Sequence, residues 1–221
     1  QSVFAPIEKG IDLVYKESSH ADQQELVSML EDVASTCPKI SARKSNATEI
    51  SAMPSFHIEY DGKPTGIVFK GIPGGHEFTS FILALLNADG KGKLPDAMIV
   101  NRIKKINKNI KVRTYMSLTC ENCPEVVQAL NQIALLHGSF THEIIDGAYV
   151  PEDIQSLSIQ GVPSLFVEKK LMHSGRIQML DLITKLESEF GVDASVKNAV
   201  EVEQNLGHFD VLVIGGGPAG A

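Results

Sequence analysis

The sequence predicts an α/β protein that contains two similar units, each a small sheet covered by helices on both faces. Segments in which apolar and polar residues alternate, as in strands, are interleaved with segments whose apolar residues recur every three or four positions, as in helices. The same order of segments occurs twice. The peptides Met-Pro-Ser-Phe at 53–56 and Val-Pro-Ser-Leu at 162–165 each open a predicted hairpin that a glycine and a long helix follow. This repetition indicates an internal duplication.

Composition excludes several classes of protein. Of the 221 residues, 43% are apolar and 21% are charged, as is typical of a globular protein rather than a disordered one. The net charge of -7 disfavours nucleic acid or an anionic membrane as partner, because both require a basic surface. The longest apolar run, 81–86, is too short to span a membrane. Three cysteines are too few for a disulfide-built secreted scaffold and no signal-peptide pattern is present, so we expect a cytoplasmic protein.

The first unit is expected within residues 1–94. A short apolar run predicts a strand over 11–15, and the spacing of Leu26, Leu30 and Val33 predicts a helix over 19–36. The turn sequence Asp-Gly-Lys-Pro at 61–64 joins two alternating segments and predicts a hairpin of strands 55–60 and 65–70. After a Pro-Gly-Gly break, the apolar density of 76–86 predicts a largely buried helix.

Glycines and lysines at 88–94 mark the boundary with a second unit, residues 95–193. Its first helix is predicted over 95–107, with a cationic face that we interpret as solvated. The next segments are predicted as a strand (112–118), a helix (124–136), a strand (140–145), a short helix (151–157), a hairpin (164–168 and 171–174) and a closing helix (177–190). This element order is that of the thioredoxin fold, so we expect two fused thioredoxin-like units.

A different pattern ends the chain. Residues 194–208 are polar and linker-like, and 209–214 form an apolar strand pattern that runs into Gly-Gly-Gly-Pro-Ala-Gly at 215–220. A strand that leads into G-x-G-x-x-G is the dinucleotide-binding fingerprint, in which Gly215, Gly217 and Gly220 would let the backbone approach a pyrophosphate. We therefore expect 209–221 to be the truncated start of a dinucleotide-binding domain in a longer flavoprotein or nicotinamide enzyme. We expect no cofactor to be bound by this chain alone.

Cys120 and Cys123 carry the expected chemistry, because they lie two residues apart between a predicted strand and a predicted helix. The helix dipole and the free N–H groups at or near the helix N-cap would favour a thiolate at Cys120, although the neighbouring carboxylate of Glu121 works against it. Cys123 lies one turn further on and is close enough to close a disulfide. Cys120 would attack a partner disulfide, and Cys123 would release it from the mixed disulfide. Residues 17–22 of the first unit, which stand at the corresponding place, contain no cysteine.

Pro163 and Glu77 extend this candidate site. In a thioredoxin-like layout the Val162–Pro163 bond lies opposite the cysteines and is expected to be cis, with the Val162 backbone free to pair with an extended substrate. Glu77 follows a glycine-rich turn at a predicted helix start, where a carboxylate can simply complement the helix dipole. Alternatively, Glu77 reaches across to the cysteines and accepts a proton from them.

A zinc site is the main alternative from another class, because Cys120, Cys123, His137 and His142 fit a zinc-finger spacing. A classical finger, however, carries its cysteines on a hairpin and its histidines on one helix. Here His137 ends a predicted helix and His142 lies in a strand, so we expect surface histidines and no metal. Cys37 has no partner in sequence and is expected to pack as a small apolar residue. A redox-silent docking domain remains a third possibility.

Four stretches together, 74–80, 115–131, 161–164 and 213–220, resemble the family of the alkyl hydroperoxide reductase F subunit, and the resemblance covers essentially the whole chain. It implies a flavoprotein disulfide reductase. Electrons would pass from NADH to FAD, to a dithiol in the C-terminal flavoprotein domain, to the N-terminal dithiol, and then to the disulfide of a peroxiredoxin, the C subunit. Within this resemblance Cys120 is the attacking thiol, Cys123 the resolving thiol, Pro163 the cis proline and Glu77 the assisting acid.

The resemblance also implies that the full-length protein binds FAD and NADH and forms a homodimer. A free-standing tandem thioredoxin-like disulfide oxidoreductase, without a dedicated partner, is the alternative within the same chemistry. The dinucleotide fingerprint at 215–220 argues against that alternative.

Overall fold

The computed structural model describes residues 3–193. The strands in this range are β1 (Ile11–Tyr15), β2 (Ile40–Lys44), β3 (Ser55–Tyr60), β4 (Lys63–Lys70), β5 (Ile110–Met116), β6 (Phe140–Asp146), β7 (Ser164–Val167) and β8 (Lys170–Ser174). The helices are α1 (Gln23–Ser35), α2 (Glu77–Ala88), α3 (Ala97–Lys105), α4 (Cys123–His137), α5 (Pro151–Ser156) and α6 (Met179–Phe190). The predicted linker and the apolar strand at 209–214 lie outside the described residues.

All these strands belong to one mixed sheet with the order β2-β1-β3-β4-β6-β5-β7-β8. β4 and β6 run parallel and pair from Ile67–His142 to Lys70–Ile145, which joins the two halves into a continuous sheet. β1, β4, β5 and β6 all point the same way. The segments that follow these four strands therefore meet along one side of the sheet, which we call the carboxyl edge.

The two halves of the sheet repeat one arrangement. β2-β1-β3-β4 in the first half corresponds to β6-β5-β7-β8 in the second, since each half has one parallel pair followed by an antiparallel hairpin. The halves differ between the parallel pair and the hairpin: the second half has α5 there, whereas residues 45–54 of the first half contain no helix. Each half thus has the strand arrangement of a thioredoxin-like unit.

Several predicted boundaries shift, and one element was missed. β2 was not predicted, because it is an outer strand in which only Ile40 is buried and its pattern carries little apolar signal. α1 begins at Gln23 rather than at 19, because the preceding residues form turns in which the Ser18 hydroxyl and the His20 ring accept hydrogen bonds from the backbone. The hairpin turn is shorter than predicted, since β4 already begins at Lys63.

The two halves share one continuous hydrophobic core. α4 packs on β4 and β6, and α2 packs against α4. Phe56 and Phe69 stack at 5.1 Å between ring centroids, and Phe81 of α2 meets Phe56 edge-on at 5.4 Å. Burying a side chain of this size stabilises the fold by about 2–3 kcal/mol. No helix among residues 3–193 combines the length and hydropathy that a membrane span requires.

Candidate functional site

Cys120 and Cys123 are joined by a disulfide at the carboxyl edge, with their Cα atoms 5.5 Å apart. Cys120 lies in the loop after β5 and is half-buried, whereas Cys123 is the first residue of α4 and is fully buried. The N-cap of α4 is Asn122, so Cys120 lies near the N-cap, two residues before it. The backbone N–H of Cys120 donates to the Ser117 carbonyl at 3.0 Å, which fixes the loop. Of the two cysteines, only Cys120 is therefore partly exposed to solvent.

The Val162–Pro163 peptide bond is cis, as predicted. Pairing of Ser164 in β7 with Tyr115 in β5 brings this bond beside the end of β5. The Cys120 sulfur lies 3.6 Å from the Val162 carbonyl oxygen. Among the described residues no other peptide bond is cis, so the corresponding Met53–Pro54 bond of the first half is trans.

Glu77 is the first residue of α2 and is fully buried. Neither of its carboxyl oxygens has a hydrogen-bond partner among the described residues. Burial raises the pKa of this carboxyl from 4.5 to about 7, and the nearby Ser80 hydroxyl opposes that rise. A carboxylate can complement the helix dipole from the surface, so that role does not require this burial.

The start of α2 is attached to the loop that carries Cys120. The backbone N–H of His76 donates to the Leu118 carbonyl at 3.1 Å. Gly75 has a φ of 51°, and a Cβ at this position would overlap the Leu118 carbonyl oxygen, so only glycine permits this close approach. α2 and α4 then run side by side, with Glu77 and Cys123 as their first residues. The structure thus brings the predicted acid to the same edge as the disulfide.

The histidines of the zinc alternative lie elsewhere. His142 faces the core and both its ring nitrogens are engaged: Nδ1 donates to Asn131 Oδ1 at 2.8 Å, and Nε2 accepts from the Thr114 hydroxyl at 2.7 Å. Burial lowers the pKa of this imidazole to about 3. The prediction that both histidines lie at the surface was therefore wrong for His142. His137 is half-buried at the end of α4 and lies 2.7 Å from the Ile106 carbonyl.

Asp146 is a buried carboxyl at the carboxyl edge that the sequence analysis missed. It ends β6 opposite Met116, accepts a hydrogen bond from the Ala148 N–H at 3.0 Å, and has a pKa raised by burial. Asp146 is the last residue of β6 and is followed by Gly147 and Ala148, so no periodic signal indicated its burial. Cys37 is buried, as expected, with its thiol directed at the Phe4 carbonyl 3.7 Å away.

The loop of the first half that corresponds to the disulfide loop contacts the second half. The Tyr149 hydroxyl donates to Asp22 at 2.8 Å, and the His20 and Tyr149 rings meet edge-on with centroids 5.1 Å apart. The predicted cofactor-binding glycines Gly215, Gly217 and Gly220 lie outside the described residues.

Comparison with known proteins is consistent with this geometry. A family model described as "Thioredoxin domain" matches residues 108–188. A Bacillus subtilis protein named NADH dehydrogenase is 40% identical over 212 residues, which are 95% of this chain and 40% of that protein. The alkyl hydroperoxide reductase F subunit of Pseudomonas aeruginosa is 36% identical over 198 residues, 90% of this chain and 37% of that protein. The chain thus spans about 40% of the length of these relatives.

A solved structure resembles almost the whole described region. The crystal structure of the NTD_N/C domain of alkylhydroperoxide reductase AhpF from Enterococcus faecalis superposes with a TM-score of 0.77 at 30% identity. The match covers 83% of this chain and 93% of that domain. The matched part of this chain, with both thioredoxin-like halves, therefore has nearly the same extent as that domain.

Proposed function

This chain belongs to the family of the alkyl hydroperoxide reductase F subunit, and we propose that it relays electrons from the flavoprotein part of such an enzyme to the disulfide of a peroxiredoxin, the C subunit. The chain itself is a thioredoxin-like disulfide oxidoreductase module related to the N-terminal domain of that family. The proposal depends on the disulfide between accessible Cys120 and buried Cys123 at the start of α4.

The proposed reaction is two successive thiol–disulfide exchanges. The Cys120 thiolate attacks one sulfur of the peroxiredoxin disulfide, forms a mixed disulfide and expels the other peroxiredoxin sulfur as a thiolate. Cys123 then loses its proton and attacks the Cys120 sulfur, and the second peroxiredoxin thiolate leaves. Two electrons have moved to the partner, and the chain ends with its own cysteines joined.

Glu77 is the proposed acceptor of the Cys123 proton. A carboxyl with a pKa of about 7 can both accept and release a proton near neutral pH, which suits a general base in this exchange. Pro163 is proposed to hold the Val162 backbone beside the Cys120 sulfur, where an extended segment of the partner could pair with it.

The remaining parts of the proposal concern the longer protein. We propose the division into units 1–94 and 95–193, a linker at 194–208 and the start of an FAD-binding domain at 209–221. A dithiol of that flavoprotein domain would reduce the Cys120–Cys123 disulfide by the same exchange, with NADH as the source of electrons. We also propose a cytoplasmic homodimer for the full-length protein. Gly215, Gly217 and Gly220 would hold the FAD pyrophosphate in the longer protein.

Electron transfer from the reduced chain to an oxidised 2-Cys peroxiredoxin tests the proposal directly. We expect the partner to be reduced by the wild type and by Cys37→Ser, since Cys37 is a buried free thiol remote in sequence from the site. Cys120→Ser should abolish the transfer, because the nucleophilic sulfur is lost. Retained transfer in Cys120→Ser would contradict the role of Cys120. Equal rates with the peroxiredoxin and with unrelated protein disulfides would favour the free-standing oxidoreductase instead.

A further inference from the structure

Ser80 lies one turn beyond Glu77 on α2 and is fully buried. Its hydroxyl oxygen accepts a hydrogen bond from the Gln128 side-chain amide at 3.2 Å. Gln128 belongs to α4, the helix that begins with Cys123. The contact therefore links the helix that carries the buried acid to the helix that carries the inner sulfur.

Ser80 is the acceptor in this hydrogen bond and Gln128 is the donor. Because the Gln128 amide occupies a lone pair of the Ser80 oxygen, the hydroxyl proton of Ser80 remains to be donated. Ser80 lies three residues after Glu77, so both side chains are on the same face of α2. The carboxyl oxygens of Glu77 are buried and have no hydrogen-bond partner among the described residues, so an ionised Glu77 would need a donor at this place.

We propose that Ser80, held by Gln128, is a positioning residue that donates its hydroxyl proton to Glu77 when Glu77 is ionised. The pair of side chains would hold one carboxyl oxygen and leave the other free to exchange a proton with Cys123. This inference rests on the proposed function of Glu77 as proton acceptor, and it adds two residues that do not touch the sulfurs.

Other ionisable side chains do not account for the pKa of Glu77. The titratable side chains beside Glu77 are His76 and, in the adjoining loop, Cys120 and Glu121. Those of α4 are Cys123, Glu125 and, at the opposite end of the helix, His137. The two cysteines do not titrate while they form the disulfide. The shift of the Glu77 pKa has burial as its main cause and Ser80 as the opposing one, with no charged side chain contributing.

Carbon-13 NMR of the Glu77 carboxyl in the oxidised 221-residue chain measures its titration while Cys120 and Cys123 are held in the disulfide. The resonance is identified by its loss in Glu77→Gln. We expect a midpoint near pH 7 in the wild type. We expect Ser80→Ala to raise the midpoint by about one pH unit, because a hydrogen bond to the ionised form is lost. Gln128→Leu should also raise the Glu77 midpoint. Ser80→Thr, which keeps the hydroxyl, should have the midpoint of the wild type.

Thr79→Ala, an exposed neighbour on α2, is the matched control and should leave the midpoint unchanged. An unchanged midpoint in both Ser80→Ala and Gln128→Leu would overturn the proposal, and either variant alone suffices if the other does not fold. The second readout is the pH profile of disulfide exchange between the reduced chain and a small aromatic disulfide, which should move with the midpoint.

The outcomes separate this inference from the proposed function. If the Glu77 midpoint moves but the pH profile of exchange does not, Ser80 acts on Glu77 without positioning it for Cys123, and the inference is overturned. The relay itself would still stand if Cys120→Ser abolishes transfer to the peroxiredoxin. If the relay fails but both readouts move together, Ser80 positions Glu77 for an exchange with a different partner.

Discussion

Replacement of Glu77 by glutamine should remove a loss of stability that the wild type undergoes between pH 4.5 and neutral pH, and it should impair the proposed relay. Glu77 is fully buried without a hydrogen-bond partner among the described residues, and its pKa is raised from 4.5 to about 7. In the unfolded chain the carboxyl ionises above about pH 4.5, whereas in the folded chain it stays protonated until about pH 7. The folded state therefore loses stability as the pH rises between these values.

The size of this loss follows from the width of that window. Each pH unit corresponds to about 1.4 kcal/mol, so the stability of the wild type should fall by about 3 kcal/mol between pH 4.5 and pH 7 because of Glu77 alone. Glutamine has nearly the same shape and does not titrate. The free energy of unfolding of Glu77→Gln relative to the wild type should therefore increase by about that amount over this range and stay constant above it.

Urea unfolding of the oxidised chain, followed by circular dichroism at pH 4.5, 5.5, 6.5 and 8, measures this difference. The matched control is Glu121→Gln, which removes an exposed carboxylate beside the same disulfide and should run parallel to the wild type. If the curves of Glu77→Gln and the wild type are also parallel, the burial argument for Glu77 is refuted. Any constant offset between them is irrelevant to the test, because it reflects packing of the amide and not titration.

Two further predictions concern stability. His142 stays neutral in the folded chain down to about pH 3, whereas an unfolded histidine is protonated below about pH 6.5. As the pH falls between these values, the free energy of unfolding of the wild type should therefore decrease by about 1.4 kcal/mol per pH unit relative to His142→Gln. Urea unfolding from pH 7 to pH 4 measures this loss, and equal pH dependence in the wild type and His142→Gln would contradict the burial argument for His142. Gly66 has a φ of 82°, and a Cβ there would overlap the Phe140 carbonyl oxygen at the seam between the halves, so Gly66→Ala should cost at least about 2 kcal/mol. Gly62→Ala, at a φ of 73° with nothing within 4 Å, should cost only about 1 kcal/mol, and equal losses in the two variants would contradict the proposed close approach.

The local parts of the fold could be predicted from the sequence. β1 and β3 have the predicted bounds, because each combines an apolar pattern with clear turn residues at its ends. The two cysteines were placed between a strand and a helix for the same reason. β2 could not be predicted, because an outer strand with one buried residue has almost no apolar periodicity.

Pairings between distant segments could not be predicted in the same way. The parallel contact of β4 with β6 joins residues about 75 positions apart, and nothing in either strand specifies the other as its neighbour. The burial of His142 and Glu77 depends on this contact, because it brings α2 and α4 together over the sheet. The sequence therefore indicated which residues could react, but not which ones become buried when the two halves pack together.

The seam between the halves explains how a unit without the cysteine pair can belong to the site. In the first half, the loop that corresponds to the disulfide loop uses Asp22 and His20 to hold Tyr149 of the second half. The same half contributes α2, whose N-cap residue His76 donates to the Leu118 carbonyl and whose first residue, Glu77, is buried. Removal of the first half would expose the apolar residues of α4 that it covers, and would take away the only fully buried glutamate of the described residues. Because packing and the proposed proton acceptor come from the same contact, the second half alone should lose stability and proton transfer together.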